Sequence, residues 1–182
     1  GFQTSDGGFA YWPGNTESDE WGSNYAGHFL LEAQAKGYDV PNDLLTRWLG
    51  FQKKMGQQVL AYHHDWQQLN QAYTLYTLAL AGKPELSAMN RLKESNTLPD
   101  AASWRLAAAY VLAGQMKVAK QLTTNLATSV KPYRELSYSY GSDERDEAMI
   151  LETMILLGER TKSAALVKEL SNSLGNPAEW MS

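Results

Sequence analysis

Histidine is the side chain best suited to catalysis near neutral pH, because its unperturbed pKa is about 6.5. This chain has three histidines, at positions 28, 63 and 64. His63 and His64 precede a predicted helix over 67–81 and are the candidates for a nucleophilic role, with a capping or solvated pair as the alternative. Neighbouring side chains on regular structure diverge, so the sequence predicts no metal site here. We interpret His28, inside a predicted helix, as a packed and hydrogen-bonded side chain.

Aromatic and acidic side chains lie close together near the start of the chain. Trp12, Trp21 and, farther along, Trp66 could stack on a sugar ring. Asp19 and Glu20 could then act as acid and base on a glycosidic bond. A carbohydrate-active enzyme is therefore one possible function, and it would require two carboxylates about 5–10 Å apart facing a cleft.

A second acidic run, Asp143–Glu147, follows Gly-Ser and opens a predicted helix. Serine caps helix starts and carboxylates favour the positive end of the helix dipole, so we interpret the run as capping, with Arg145 paired to a carboxylate nearby. Terpene cyclisation would require an Asp-x-Asp-Asp motif, and protein prenylation a zinc site that commonly uses cysteine. The chain has neither. It also lacks GxSxG, P-loop and HExxH patterns, and we predict no cofactor.

The opening of the chain contains two tight-turn signals. Asp6 initiates turns and the glycines after it supply positive φ. The amide of Gln3 is expected to bond orphan backbone groups, while Phe9, Tyr11 and Trp12 pack beneath neighbouring helices. We therefore predict a structural role for this segment. The predicted structural residues are Gln3, Asp6, Gly7, Gly8, Phe9, Trp12 and Trp21.

The composition narrows the class of protein. The chain has 182 residues, of which 43% are hydrophobic, and a formal net charge of -4. This charge argues against nucleic acid or an anionic membrane as partner. No apolar run approaches the ~18 residues that a membrane helix needs. The absence of cysteine excludes disulfides and a cysteine nucleophile within these residues.

Helix signals recur along the chain as pairs. One predicted helix runs over 23–36, with Tyr25, Phe29, Leu30 and Ala33 spaced for one face. Apolar helices stopped by glycine recur before positions 82, 114 and 158, and each leads to a more polar helix. Apolar helices should form an inner layer and polar helices an outer one. The sequence predicts an all-α fold, either a solenoid or an α/α toroid.

Three sequence strings and one short pattern resemble known families. Gln3-x-x-x-Gly7-x-Phe9 is similar to the repeat of terpene cyclases and protein prenyltransferases. The longer strings QTSDGGFAYWPG (3–14) and WGSNYAGHFLLEAQAKGYDVP (21–41) look like the thioester-containing domain of bacterial α2-macroglobulin family proteins. YGSDERDEAMILETMILLG (140–158) resembles a later segment of the same domain. The matches keep the family's order, and that domain is an α/α toroid.

The resemblance implies a mechanism. Proteins of this family trap proteases: the protease cuts a bait region, the molecule rearranges, and an internal thioester reacts with the attacker. The thioester joins Cys and Gln of a Cys-x-Glu-Gln motif, which this chain does not contain. In the family the motif precedes the segment that matches Gly7-Gly8-Phe9. It therefore lies upstream, or the parent protein has lost it.

We expect residues 1–182 to form one all-α domain that is an incomplete piece of a larger toroid, and to be non-catalytic. The resemblance implies that its partners are the other domains of the same macroglobulin chain and target proteases, without nucleic acid or membrane insertion. It also implies a periplasmic or envelope location. In some family members a histidine attacks the thioester, which is the chemical role open to His63 and His64. A thioester-less protein-interaction module is the second alternative.

Overall fold

The computed structural model describes residues 1–59, 61, 64–95, 98–130 and 142–175. Within these residues the chain forms eight α-helices and no strand longer than an isolated bridge. The helices are α1 (Glu20–Ala35), α2 (Asn42–Gln57), α3 (Asp65–Leu80), α4 (Leu86–Lys93), α5 (Asp100–Leu112), α6 (Met116–Thr123), α7 (Asp143–Leu157) and α8 (Arg160–Leu174). The predicted all-α class is confirmed.

Inner and outer helices alternate along the chain. The inner helix α1 packs on α3, α3 on α5, and α5 on α7, while the other four helices pack outside them. Nearly every side chain of α3 and α5 is buried, because each lies between two inner neighbours and an outer helix. The outer helices bury one face only. The predicted layers of an α/α-toroid segment are therefore present.

Glycine ends each inner helix. Gly37, Gly82, Gly114 and Gly158 follow α1, α3, α5 and α7 with φ between 70° and 85°. An L-residue with a Cβ rarely adopts this left-handed conformation, so these positions favour glycine and reverse the chain into the next helix. The predicted stops are confirmed.

The opening segment lies against α1 and α2. Isolated bridges pair Gln3 with Phe9 and Phe9 with Asp19. The Gln3 amide donates to the carbonyl oxygens of Gly7, at 3.0 Å, and Leu44, at 2.9 Å. Gly7 has φ 97°, and a Cβ there would clash with the carbonyl of Arg47. The fold therefore requires glycine at this position.

The predicted packing of Tyr11 and Trp12 is wrong, and the predicted face of α1 is only partly covered. Phe9 is buried, but Trp12 is 64% and Tyr11 45% exposed, and Trp12 begins a turn in which the Asn15 N–H donates to its carbonyl oxygen. On α1, Tyr25 and Phe29 are 69% and 68% exposed. Helix α1 packs mainly on α2 and α3, and neither helix covers the rings of Tyr25 and Phe29. Leu30 and Ala33 do pack against the small core between α1 and α2.

Candidate functional site

A cavity of about 300 Å³ lies among the four inner helices, and we call it the inner cavity. Its volume is at the lower end of the range for small-molecule pockets, roughly 300–1,000 Å³. Ionisable and aromatic side chains converge on it from α1, α3, α5 and α7. Its lining residues are Trp21, Tyr25, His28, Tyr73, Arg105, Arg145, Ala148, Met149 and Glu152.

Glu152, on α7, lines the inner cavity and contacts one side chain from each of the three other inner helices. Its Oε1 accepts a 2.5 Å hydrogen bond from the Tyr76 hydroxyl, and its Oε2 accepts a 2.8 Å bond from Nη1 of Arg105. Nε2 of His28, on α1, lies 3.9 Å from Oε1. All four inner helices therefore meet at one carboxylate. We call Glu152, Arg105, Tyr76 and His28 the carboxylate cluster.

Arg105 is the charged centre of the carboxylate cluster. It is only 5% exposed, and its guanidinium carbon lies 4.3 Å from the ring centroid of Tyr76 and 4.8 Å from that of Tyr73. Such cation–π contacts strengthen when water is excluded. Its Nε has no hydrogen-bond partner among the described residues. A buried guanidinium held in this way depends on its carboxylate partner for charge compensation.

Burial and neighbouring charges shift the pKa values of this site. Burial, reinforced by the negative charge of Glu152, raises the pKa of Tyr76 far above its ordinary value. Burial also raises the pKa of Tyr73 to about 12. The pKa of His28 is lowered, chiefly by burial and further by Arg105, although Glu152 acts in the opposite direction. Burial therefore favours the neutral imidazole of His28, whose Nδ1 lies 3.0 Å from the Tyr73 hydroxyl.

Arg145 and Trp21 both line the inner cavity and contact each other. The guanidinium carbon of Arg145 lies 4.5 Å from the Trp21 ring centroid, and its Nη2 donates to Asp146 at 2.7 Å. The backbone N–H of Arg145 donates to the Ser142 hydroxyl at the start of α7. The predicted serine cap at the start of α7 is confirmed, and so is the predicted pairing of Arg145 with a nearby carboxylate. Trp21 also meets Tyr73 edge-to-face, with centroids 5.2 Å apart.

A buried network of amide side chains, which was not predicted from the sequence, joins α1, α2 and α3. Nε2 of Gln52 donates to Oδ1 of Asn24 at 2.6 Å and to the Thr77 hydroxyl at 2.7 Å. Nδ2 of Asn24 donates to Oδ1 of Asn70 at 2.8 Å, and Asn70 donates to Glu20. The available signal was the polar residues within otherwise apolar inner helices. Each of these amides fixes the position of one helix against the next.

The sequence-predicted site residues are separated in the structure. His63 lies outside the described residues. His64 immediately precedes α3, where its backbone N–H donates to Oε1 of Gln67 and its ring stacks on Trp66. Among the predicted structural residues, Trp21 alone lines the inner cavity. The hydroxyls of Thr4 and Ser18 donate to Asp6 and lower its pKa.

The sugar-binding arrangement is not formed by the described residues. Asp19 caps α1 by accepting from the backbone N–H of Gly22, and Glu20 accepts from Asn70. Neither lines the inner cavity, whose described lining contains one carboxylate, Glu152. The paired carboxylates that glycoside hydrolysis requires are therefore not assembled at this cavity. None of the described helices is long and apolar enough to cross a membrane.

The inner-helix arrangement and the sequence agree with one group of proteins. No protein-family model matches the chain. Over 165 residues, 84% of the chain, the sequence is 28% identical to alpha-2-macroglobulin of Escherichia coli K12. The chain is homologous to a segment of bacterial alpha-2-macroglobulin. It spans 10% of the length of that relative.

Solved alpha-2-macroglobulin structures have the same fold. Salmonella alpha-2-macroglobulin reacted with methylamine superposes with a TM-score of 0.73 at 26% identity, covering 94% of this chain and 12% of that one. E. coli alpha-2-macroglobulin activated by porcine elastase gives 0.79 at 22% identity, covering 95% and 16%. The second match supports the fold alone. The sequence identity and the shared fold together confirm the predicted resemblance to bacterial alpha-2-macroglobulin proteins.

Proposed function

We propose that the chain is a non-catalytic part of the thioester-type domain of a bacterial alpha-2-macroglobulin-like protease trap. The observation that carries this proposal is the homology to alpha-2-macroglobulin over 84% of the chain. Relatives of the same fold have been activated by trypsin and by porcine elastase, and one has reacted with methylamine. An amine that modifies such a protein is consistent with an acylating group elsewhere in the molecule.

The chain supplies scaffold in this proposal. It has no cysteine, so the thiol of a thioester has to come from another part of the parent protein. The carboxylate cluster ties the four inner helices together, and the opening segment holds the start of α1 against α2. The groups of the cluster bond mainly to one another, which suits a structural task better than proton transfer to a substrate.

The exposed edges of the inner helices support a proposal about the domain. Tyr25 and Phe29 on α1, and Ile155 on α7, are large apolar side chains that no described element covers. We propose that residues 1–182 form one domain, incomplete by itself, whose edges contact further helices of the parent chain. The remaining partners are its other domains and the target protease. The location that we propose is the periplasm or cell envelope.

Treatment of the parent protein with methylamine tests this function. We expect one new thiol and a mass gain equal to one methylamine, followed by loss of covalent conjugates when trypsin is added afterwards. Untreated parent protein should form conjugates with trypsin that survive denaturation. If neither a thiol nor a conjugate appears, the thioester-trap function is wrong. The chain would then belong to a thioester-less interaction module, and His64 would lose its only chemical role.

A further inference from the structure

A groove of about 450 Å³ lies between α2 and the turn from α3 to α4, and we call it the outer groove. Leu49 and Pro84 present accessible apolar surface to it, and Lys53 and Lys83 line it as well. None of its lining residues belongs to the inner cavity or to the exposed edges of α1 and α7. A groove that offers apolar surface beside cations suits a guest that is both apolar and anionic.

Two lysines of the outer groove lack a carboxylate partner. Lys53, on α2, and Lys83, in the turn after α3, are both exposed. Neither forms an ion pair with any described residue. Glu85, the one acidic residue of the described lining, accepts from Nε2 of Gln57 at 3.1 Å instead. Both ammonium groups are therefore accessible to a carboxylate from outside the described residues.

Gly50 keeps the outer groove open. It lies inside α2, where glycine is an unfavourable helix residue. A Cβ at Gly50 would meet nothing within 4 Å, whereas a Cβ at Gly22, Gly27 or Gly56 would come within 3.0 Å of a side-chain atom. Packing among the described residues therefore accounts for the other three helical glycines but not for Gly50. Glycine also lets another group approach the backbone closely, so Gly50 suits an occupant that lies directly against α2.

The two outer helices beside the outer groove are basic. Within their bounds, α2 and α4 carry five cationic side chains and one anionic side chain: Arg47, Lys53, Lys54, Arg91 and Lys93 against Asp43. The two arginines donate to backbone carbonyl oxygens, which are neutral. The charge of these helices therefore favours an acidic occupant, although the whole chain has a net charge of -4.

We propose that in the parent protein the outer groove holds a segment from outside residues 1–182 that presents a large apolar side chain next to a carboxylate. The apolar side chain packs on Leu49 and Pro84 beside Gly50, and the carboxylate pairs with Lys53 or Lys83. We assign the occupant to the parent chain because residues 1–182 span 10% of the length of the relative. That assignment rests on the proposed function, which makes the chain part of a larger macroglobulin-like protein.

Acetylation of the intact parent protein, with peptide mass spectrometry to give the rate at each lysine, tests the proposal. We expect Lys53 and Lys83 to react at least fivefold more slowly than Lys117, which is exposed on α6 and has no ion pair with a described residue. Carbodiimide, which joins a lysine to a carboxylate in contact with it, should link Lys53 or Lys83 to an acidic residue outside 1–182.

Three results would overturn the proposal. The first is a similar rate of acetylation at all three lysines. The second is protection of Lys53 and Lys83 without any crosslink to the parent chain outside residues 1–182. The third is a crosslink to a separate protein or to a second copy, which a mixture of ¹⁴N- and ¹⁵N-labelled parent protein identifies.

Filling the outer groove tests the same contact by displacement. Gly50→Leu places a side chain in the groove, where a Cβ meets no described atom within 4 Å. Ala164→Leu, at an exposed position of α8, is the control for added apolar bulk. We expect at least fivefold faster acetylation of Lys53 and Lys83, and loss of their crosslinks, in Gly50→Leu alone. Unchanged rates in a folded Gly50→Leu protein would contradict the site.

These measurements keep the two proposals separate. If Gly50→Leu fails to fold, the acetylation rates and crosslinks of the wild-type parent protein still decide. None of the readouts involves acylation of a protease. A parent protein that protects Lys53 and Lys83 but releases no thiol with methylamine would therefore contradict the thioester trap and leave the occupied groove standing.

Discussion

Glu152 on α7 and Arg105 on α5 are joined by a 2.8 Å hydrogen bond between Oε2 and Nη1, although 47 residues separate them in the chain. Tyr76 completes the contact from α3 through its 2.5 Å bond to the other carboxylate oxygen. A single carboxylate thus compensates a buried guanidinium and satisfies a buried phenol. The energetic consequence is that Glu152 matters for stability far more than an ordinary surface glutamate.

Replacing Glu152 by alanine should lower the free energy of unfolding by about 3 kcal/mol, because the buried charge of Arg105 loses its partner. Urea denaturation followed by circular dichroism measures the change. Glu159→Ala is the matched control, since Glu159 pairs with the exposed Lys162 and such surface pairs contribute about 0–1 kcal/mol. Equal losses in both variants would show that the carboxylate cluster is not a special source of stability.

His28 should make stability depend on pH. Its pKa is lower in the folded protein than in the unfolded chain, mainly because it is buried. Below about pH 6.5 the unfolded chain takes up a proton that the folded protein binds less readily. The free energy of unfolding therefore decreases as the pH is lowered, and it levels off below the pKa of His28 in the folded protein. His28→Gln should lose this dependence. Urea unfolding from pH 8 to pH 5 measures it.

Above pH 7 the unfolding free energies of wild type and His28→Gln should run parallel, separated by the lost bond to Tyr73. Parallel curves down to pH 5 as well would show that His28 does not contribute. Burial raises the pKa values of Glu20 and Glu147, so these groups stabilise the fold as pH falls. Glu20 and Glu147 are present in both proteins, so their contribution cancels in the difference between wild type and His28→Gln.

Two helical glycines should respond oppositely to alanine. A Cβ at Gly27 on α1 would overlap the indole ring of the fully buried Trp48, so Gly27→Ala should cost about 1–3 kcal/mol. A Cβ at Gly50 on α2 meets nothing within 4 Å, so Gly50→Ala should add about 0.5–1 kcal/mol through helix propensity. Thermal and urea denaturation of the pair test this sign reversal. Stabilisation by Gly27→Ala would disprove the close packing of α1 on α2.

The exposed edge of α1 offers a test of the incomplete-domain proposal. Phe29→Ser should change the unfolding free energy of the chain by less than about 0.5 kcal/mol, because Phe29 is 68% exposed. If further helices cover this edge in the parent protein, as proposed, the same change should cost about 2–3 kcal/mol there. Differential scanning fluorimetry of both proteins measures it, with Tyr38→Ser as the control. Equal small effects in both proteins would contradict the proposed cover.

Much of the fold could be predicted from local sequence. Apolar spacing, the glycines after each inner helix and the Ser142 cap are properties of a few adjacent residues, so the sequence by itself determined the helices and their alternation. The strings 3–14 and 140–158 also indicated the family, although Tyr140 and Gly141 lie outside the described residues. Periodicity grouped Tyr25 and Phe29 with Leu30 and Ala33, but it could not tell that the first two are exposed and the last two pack against a core.

Only the tertiary structure decided the site. Glu152 lies within the apolar string ILETMILLG and Arg105 within an alanine-rich helix, and neither neighbourhood suggests a charged pair. The four inner helices pack side by side. Their relative rotation and axial shift bring together the four residues of the carboxylate cluster: His28, Tyr76, Arg105 and Glu152. Such contacts between distant residues depend on helix rotation and register. Those quantities arise from the packing of the whole layer, which no local pattern encodes.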